Sequence, residues 1–362
     1  MRLSPTAWIA PVLMAAGLLA PAGEAGWSGL ALLCGVVAVA TAVAVARFWP
    51  APIDQALGAV ALVLAGAAPL LLLAQGGTFG ASAIGLWLFV GGATLLVWTR
   101  LTLLAARPAS RLTGWIAPAL FGVTVLWLWQ VLVVGFAVPQ VLLPTPHQVG
   151  TILVTRLDVL WPDFRQTFFK SVLPGYAIGC GAGLVVAIVA DRFGFLKRGL
   201  LPVCSLASAM PIVGIAPIMV MWFGFDWQSK AAVVAVVTFF PMLVNALAGL
   251  AAVDDMLRDM MHSYAASPAQ TLRKLRLPTA LPFVFNALRI NSTLALISAI
   301  VAEFFGSPIL GLGFRISAEV ARLNVDVVWA AIAIAALAGS LFYGLIAVVE
   351  RALTFWHPSY RT

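Results

Sequence analysis

Apolar residues run along this chain in long blocks rather than in narrow stripes. Blocks near the roughly 20 residues a helix needs to cross a bilayer lie at about 7–22, 28–46, 56–75, 83–104, 115–137, 171–190, 200–223, 231–251, 288–308 and 328–349. They predict ten membrane helices. Pro69, Pro174, Pro211 and Pro217 fall inside blocks, which a spanning helix tolerates where neighbours satisfy the freed backbone groups. Polar excursions at 138–170, 252–287 and 309–327 interrupt only the second part. Composition therefore divides the chain into 1–114, four apolar helices with short connections, and 115–362, whose excursions are where partners can be met.

Composition removes the soluble alternative. The chain of 362 residues is 62% hydrophobic and 9% charged, whereas a water-solvated domain carries about 25% charge. An all-α, polytopic membrane bundle is the fold class that remains. The 21 Lys and Arg then set orientation. With a cytoplasmic N-terminus, only Arg156, Arg165, Lys170, Lys230, Arg315 and Arg322 lie outside, so 15 of the 21 are inside. That asymmetry is the positive-inside pattern, and it places both termini in the cytoplasm. It also accounts for the net charge of +8 without nucleic acid, because no basic cluster is interleaved with aromatics. For the first block, Arg2, the apolar stretch to Ala20 and Ala20-Pro21-Ala22 leave a cleavable signal peptide open beside a first span.

Metal and nucleotide chemistry find no support. Cys34, Cys180 and Cys204, like His147, His262 and His357, are dispersed along the chain, without the spacing of a metal site or disulfide framework. Gly179, Gly181 and Gly183 sit inside a span with no preceding strand, so they read as close helix packing, not as a phosphate loop. Asp191, Arg192, Lys197 and Arg198 read as a cytoplasmic turn.

Two excursions carry helix-start chemistry. In Leu143-Pro144-Thr145-Pro146-His147-Gln148, Thr145 can cap, Pro146 suits the first helical position and Gln148 completes a capping box. Apolar residues from Val149 to Phe164 then recur every three or four positions, as in a helix lying along the outer interface or packing over the bundle. In the second excursion Ser267, Pro268 and Gln270 repeat the device, followed by Leu272, Leu275 and the cations Arg273, Lys274 and Arg276. Leu277-Pro278 and Pro282 are expected to end that helix. Upstream, Asp254 to Ser263 can form a short helix with Met256, Met260 and Met261. A cytoplasmic helix–turn–helix results, and adaptable methionines make it a docking surface for a soluble partner.

This loop resembles the permease subunit of a bacterial ABC importer. The family signature there is Glu-Ala-Ala, three residues, Gly, nine residues, Ile, one residue, Leu-Pro. Counting back from Leu277-Pro278 sets Leu275 on the Ile, Ala265 on the Gly and Asp259-Met260-Met261 on Glu-Ala-Ala. The departures are Asp for Glu, Met for both alanines and Ala for the turn glycine, where a positive φ would cost an alanine more. Leu143-Pro144-Thr145-Pro146, Met210-Pro211, Ala216-Pro217, Trp222-Phe223-Gly224, Val301-Ala302-Glu303 and Gly311-Leu312-Gly313 are similar, in order, to the nitrate/sulfonate/taurine branch. The resemblance covers about 115–362 and leaves 1–114 outside.

The resemblance implies a six-helix permease core after a four-helix extension, about ten membrane helices in all, in the bacterial inner membrane. It implies a non-catalytic subunit with no cofactor of its own, ATP and Mg belonging to a partner ABC ATPase dimer. A periplasmic solute-binding protein, a second permease copy and the lipid bilayer complete the expected partners. The coupling loop, 254–282, would act through Asp259, Met260, Met261, Ala265, Ser267, Pro268, Gln270, Leu275, Leu277 and Pro278; Asp259 either contacts the partner or caps a helix. Polar groups within spans default to function, so Glu303, Asn245 and Asn291 are pathway candidates, Glu303 being equally able to pair with Arg315. An ion-coupled carrier working without an ATPase is the alternative class; it predicts inverted repeats and mid-membrane acids.

Overall fold

The computed structural model describes residues 8–355 except 21, 23–25, 28, 49–53, 75–79, 81, 106–112, 209 and 307–308. Arg2, Pro21, Arg107, Arg111, His357 and Arg361, used above for orientation, processing and metal arguments, lie outside the described residues. Among the described residues six helices are long and apolar enough to cross a membrane, Ile84–Thr102, Ile116–Gly135, Leu157–Arg192, Trp227–Ala251, Pro268–Phe304 and Val325–Leu353. Four shorter apolar helices, Ile9–Leu19, Gly29–Ala44, Ala59–Ala74 and Ile212–Phe223, answer the other predicted blocks. The chain is an all-α, multi-pass membrane bundle.

It forms two compact units, Met1–Gly150 and Thr151–Thr362. The boundary thus falls later than the compositional one at 114, because helix α5 (Thr113–Gly135) packs on α3 (Asp54–Ala74) and α4 (Ile84–Ala105). Within the first unit, α1 (Ile9–Leu19) pairs with α4, and α2 (Gly29–Phe48) with α3. Small residues allow this. A Cβ on Gly17 would lie 2.6 Å from the Gly85 carbonyl and the Phe89 nitrogen, and Ala38, Ala42, Ala61, Ala65 and Ala68 fill the core between helices. The indole of Trp127 donates to the Gly66 carbonyl at 2.8 Å, which satisfies that donor inside an apolar bundle.

In the second unit, α8 (Leu173–Arg192), α11 (Trp227–Ala251) and α14 (Leu277–Phe304) make the core. Three corrections to the sequence reading follow from proline chemistry. The block 200–223 is two helices, α9 (Gly194–Ser208) and α10 (Ile212–Phe223), parted at Pro211, whose ψ of 127° leaves the helical region. The 145–164 segment is also two helices, α6 (Pro146–Thr155) and α7 (Leu157–Phe164), and α7 does not lie apart as an interfacial helix. It continues through a π-helical stretch, Arg165–Val172, into α8 as one 36-residue span.

The third correction concerns the coupling loop. Leu277-Pro278 and Pro282 do not stop a helix; α13 (Pro268–Thr271) runs through the π-helical turn Leu272–Arg276 into α14, and 37 residues form one span. Both π stretches end two residues before a proline, Pro174 and Pro278. A proline ring crowds the carbonyl four residues back and offers it no N–H. Here the preceding amides reach five residues back instead, Leu173 to the Phe168 carbonyl and Leu277 to the Leu272 carbonyl, and the wider turn passes the proline without a break. Sequence patterns mark Pro as a stop; the π turn makes it a bend.

Candidate functional site

The loop between α11 and α14 is built from local rules. Helix α12 (Asp255–Ser263) is capped by Asp254, whose carboxylate accepts from the Met256 amide at 2.9 Å. Asp259 stands exposed within α12, and the second short helix is capped by Ser267, not by Asp259. The hairpin closes through two bonds, the Ala265 amide to the His262 carbonyl at 2.9 Å and the Ala266 amide to the Met261 carbonyl at 3.0 Å. This is the Schellman closure, which needs a left-handed residue at the position Ala265 holds. Its φ is 51°. The turn thus sets an alanine where a glycine would sit without strain. Ala265→Gly is expected to stabilise the hairpin by about 1 kcal/mol, read as slower amide exchange over 262–266; faster exchange would contradict the strain.

Ser267, Pro268 and Gln270 form the expected capping box. The Gln270 amide donates to Ser267 Oγ at 3.3 Å, and the Ser267 amide donates to Gln270 Oε1 at 2.8 Å. Thr145 and Gln148 make the same pair, at 3.2 and 2.9 Å. Leu275, Leu277 and Pro278 are half-buried at the base of the hairpin.

The base is fixed by a residue that sequence reasoning passed over. Arg276 donates through Nε and Nη2 to the Leu250 carbonyl at the end of α11, at 3.2 and 2.9 Å. Its Nη1 lies 2.6 Å from Asp191 Oδ2 at the end of α8. Asp191, read from sequence as a turn residue, has a nearly buried side chain and also faces Lys197 at 4.0 Å. One guanidinium thus ties the hairpin to α8 and α11 while its own helix continues as α14. A shared fork of this kind suits Arg, which presents rigid parallel donors.

One side of the hairpin shows an apolar stripe to its surroundings. Helix α12 has no buried residue, and Met256, Met260 and Tyr264, spaced four apart on one side, are 75%, 47% and 80% exposed. Met261 turns inward and is half-buried. Met256 and Tyr264 belong to the surface although the signature does not include them; their i, i+4, i+8 spacing is the signal that marks it.

The pathway candidates separate. Asn291 is fully buried, donating to the Thr238 carbonyl at 2.8 Å and lying 3.2 Å from Cys180 Sγ, so it links α14 to α11 and α8. Asn245 donates to the Pro241 carbonyl at 2.8 Å and accepts from Asn286 at 3.4 Å. It stands one turn from a cavity of about 290 Å³ at the break before α10, lined by Met210, Pro211, Val237, Phe240, Pro241 and Leu294 among others. Glu303 is sealed at the far end of α14. Its oxygens accept from Thr167 Oγ1 at 2.8 and 3.0 Å and from the Gly313 amide at 2.7 Å.

Arg315 does not pair with Glu303. It donates to Asp163 at 2.7 Å and lies 3.5 Å from Glu319. Burial works against charge on Glu319, but Asn324, Arg322 and Arg315 outweigh it and hold the carboxyl below the usual carboxylate range. Among the described residues no group of His, Cys, Asp and Glu could hold a metal ion, and Cys34, Cys180 and Cys204 are free thiols.

Comparison with known proteins identifies the family. The family model described as "Binding-protein-dependent transport system inner membrane component" matches residues 179–355. A putative aliphatic sulfonates transport permease protein of Bacillus subtilis is 30% identical over 262 residues, 70% of this chain and 92% of its own length. A riboflavin transport system permease protein of Chloroflexus aurantiacus is 30% identical over 233 residues, 64% of this chain and 86% of its own. A taurine transport system permease protein of Escherichia coli is 30% identical over 247 residues, with the same 64% and 86% coverage.

Proposed function

The chain belongs to the family of inner-membrane permeases of binding-protein-dependent ABC importers, and from that premise we propose how this member is oriented, coupled and loaded. The 254–267 hairpin faces the cytoplasm, a placement that the 15 to 6 division of the 21 cations supports, and both termini lie on that side. An ABC ATPase docks on the Met256, Met260 and Tyr264 stripe. The observation that carries this is an apolar face standing uncovered on a helix outside the spans, the kind of patch a partner covers. Polar signature residue Asp259 lies beside it and contacts the same partner.

The chain itself performs no hydrolysis; ATP and Mg sit on the ATPase pair, and two permease copies enclose the pathway. Cargo arrives from a periplasmic binding protein. Relatives of equal identity are named for sulfonates, taurine and riboflavin, so identity does not choose among cargoes. A small anion of the nitrate/sulfonate/taurine kind, or a vitamin-related compound, is the class that fits. The cavity at the α9–α10 break, walled by apolar residues and Pro211 and Pro241, lies on the pathway, since irregular backbone within a membrane occurs where it borders protein or a cavity. Its uncharged wall leaves selection to the binding protein.

Reconstitution tests the reading against the ion-coupled alternative. Vesicles holding the permease, its ATPase and the binding protein are expected to take up cargo only with ATP, and vanadate is expected to stop uptake. Uptake driven by an ion gradient in vesicles without the ATPase would establish a secondary carrier instead.

A further inference from the structure

The end of α14 opposite the coupling hairpin holds a second fixed joint. Helix α15 (Leu312–Ala321) begins at Gly311, which has no side chain with which to cap it. Its first three amides are nonetheless all satisfied, each by a side chain from another helix. The Gly311 amide donates to Asp163 Oδ1 at 2.9 Å, the Leu312 amide to Thr167 Oγ1 at 2.8 Å, and the Gly313 amide to Glu303 Oε2 at 2.7 Å. The Thr167 hydroxyl in turn donates a hydrogen bond to Glu303, and the second oxygen of Asp163 accepts from the Arg315 guanidinium of α15 itself. Asp163, Thr167 and Glu303 are buried.

The joint has no slack. A Cβ on Gly313 would lie 2.2 Å from the Ile300 carbonyl, and one on Gly311, whose φ is 129°, would lie 2.6 Å from the Glu303 carboxyl carbon. Backbone therefore sits against α14 as closely as atoms allow. Between this joint and the Ser267 capping box runs one uninterrupted span of 37 residues, about 55 Å of helix, whose one irregular turn is Leu272–Arg276. Packed interfaces shift between discrete arrangements instead of yielding gradually, so a push at one end of such a helix arrives at the other.

We propose that Thr167, Asp163 and Glu303 are positioning residues for transport: they join the first turn of α15 to the ends of α7 and α14, so that movement entering at the coupling hairpin is delivered to α15 on the opposite face of the membrane. This rests on the docking reading above. Glu303 then serves transport by holding α15, not by touching cargo.

The test uses the reconstituted complex with its ATPase. Thr167→Val keeps the side-chain shape and removes the hydroxyl that joins Leu312 to Glu303. Cargo moved per ATP hydrolysed is expected to fall about tenfold, with ATPase co-purification and hydrolysis retained, and Thr167→Ser is expected to restore the ratio. An unchanged ratio in Thr167→Val overturns the proposal. A second measurement needs no weakened joint. Spin labels at the exposed Ile297 of α14 and Val320 of α15 are expected to keep one separation in nucleotide-free and ATP-bound states. A change of about 5 Å, one helical turn, overturns rigid delivery. Failure of the unmodified chain to bind any ATPase would sink the docking reading and this inference with it, whereas intact coupling with an unaffected Thr167→Val sinks this inference alone.

Discussion

Replacing Met256 and Met260 together by arginine is expected to leave the chain folded and inserted but to abolish co-purification of the ATPase. Neither side chain is buried, at 75% and 47% exposure, and α12 keeps its Asp254 cap and Schellman closure in the variant. Folding therefore has no stake in them. A partner seated on the stripe would lose two apolar anchors, each worth about 2 kcal/mol or more at an interface centre, and would have to desolvate two cations. The sum is about 4 kcal/mol, roughly a thousandfold in affinity. Leu275, also a residue of the signature, would be a poorer probe, because it is half-buried and its replacement would disturb the hairpin base as well. Retention of the ATPase at the unmodified yield would show that docking lies elsewhere.

Gly179→Leu is expected to disrupt the second unit outright. Gly175, Gly179 and Gly183 recur every four residues along α8 and face α11. A Cβ there would stand 2.5 Å from the Ala231 carbonyl, 2.1 Å from Thr238 Oγ1 and 2.6 Å from the Phe239 carbonyl, respectively. At Gly179 the Ala235 carbonyl is also within 2.4 Å, so backbone, not a movable side chain, blocks the new atoms. Overpacking of this kind costs about 3 kcal/mol or more, and a leucine forces the two helices apart along their whole contact. Gly181 has open space around its Cβ position, and Gly181→Ala is the control, expected within about 0.5 kcal/mol of the parent. Thermal midpoints in detergent would decide; equal midpoints for Gly179→Leu and the parent would remove the packing role. Here the sequence reading of Gly179, Gly181 and Gly183 as packing glycines is corrected in one member: Gly181 faces away, and Gly175 takes its place in the row.

That correction is characteristic of where legibility stopped. Close packing was readable, since glycines inside a span have few other uses. Which glycines face the neighbour depends on where α11 lies, and no local pattern states that. The coupling loop shows the same division. Its position, its capping box and its methionines followed from residues within a few positions of one another. The anchoring of its base by Arg276 on Asp191, 85 positions away, did not.

The sequence alone determined the membrane class, the ten apolar segments, the caps and the family, because each rests on transfer to hydrocarbon or on bonds closed within one turn. Tertiary structure decided the rest. It carried α14 through Pro278 by a π turn, set Ala265 at positive φ, and assigned Glu303 to Thr167 and Gly313 instead of Arg315. A buried carboxylate must find donors, but many are chemically adequate. Only the approach of helices distant in sequence, held at backbone contact by glycine, selects which of them it meets.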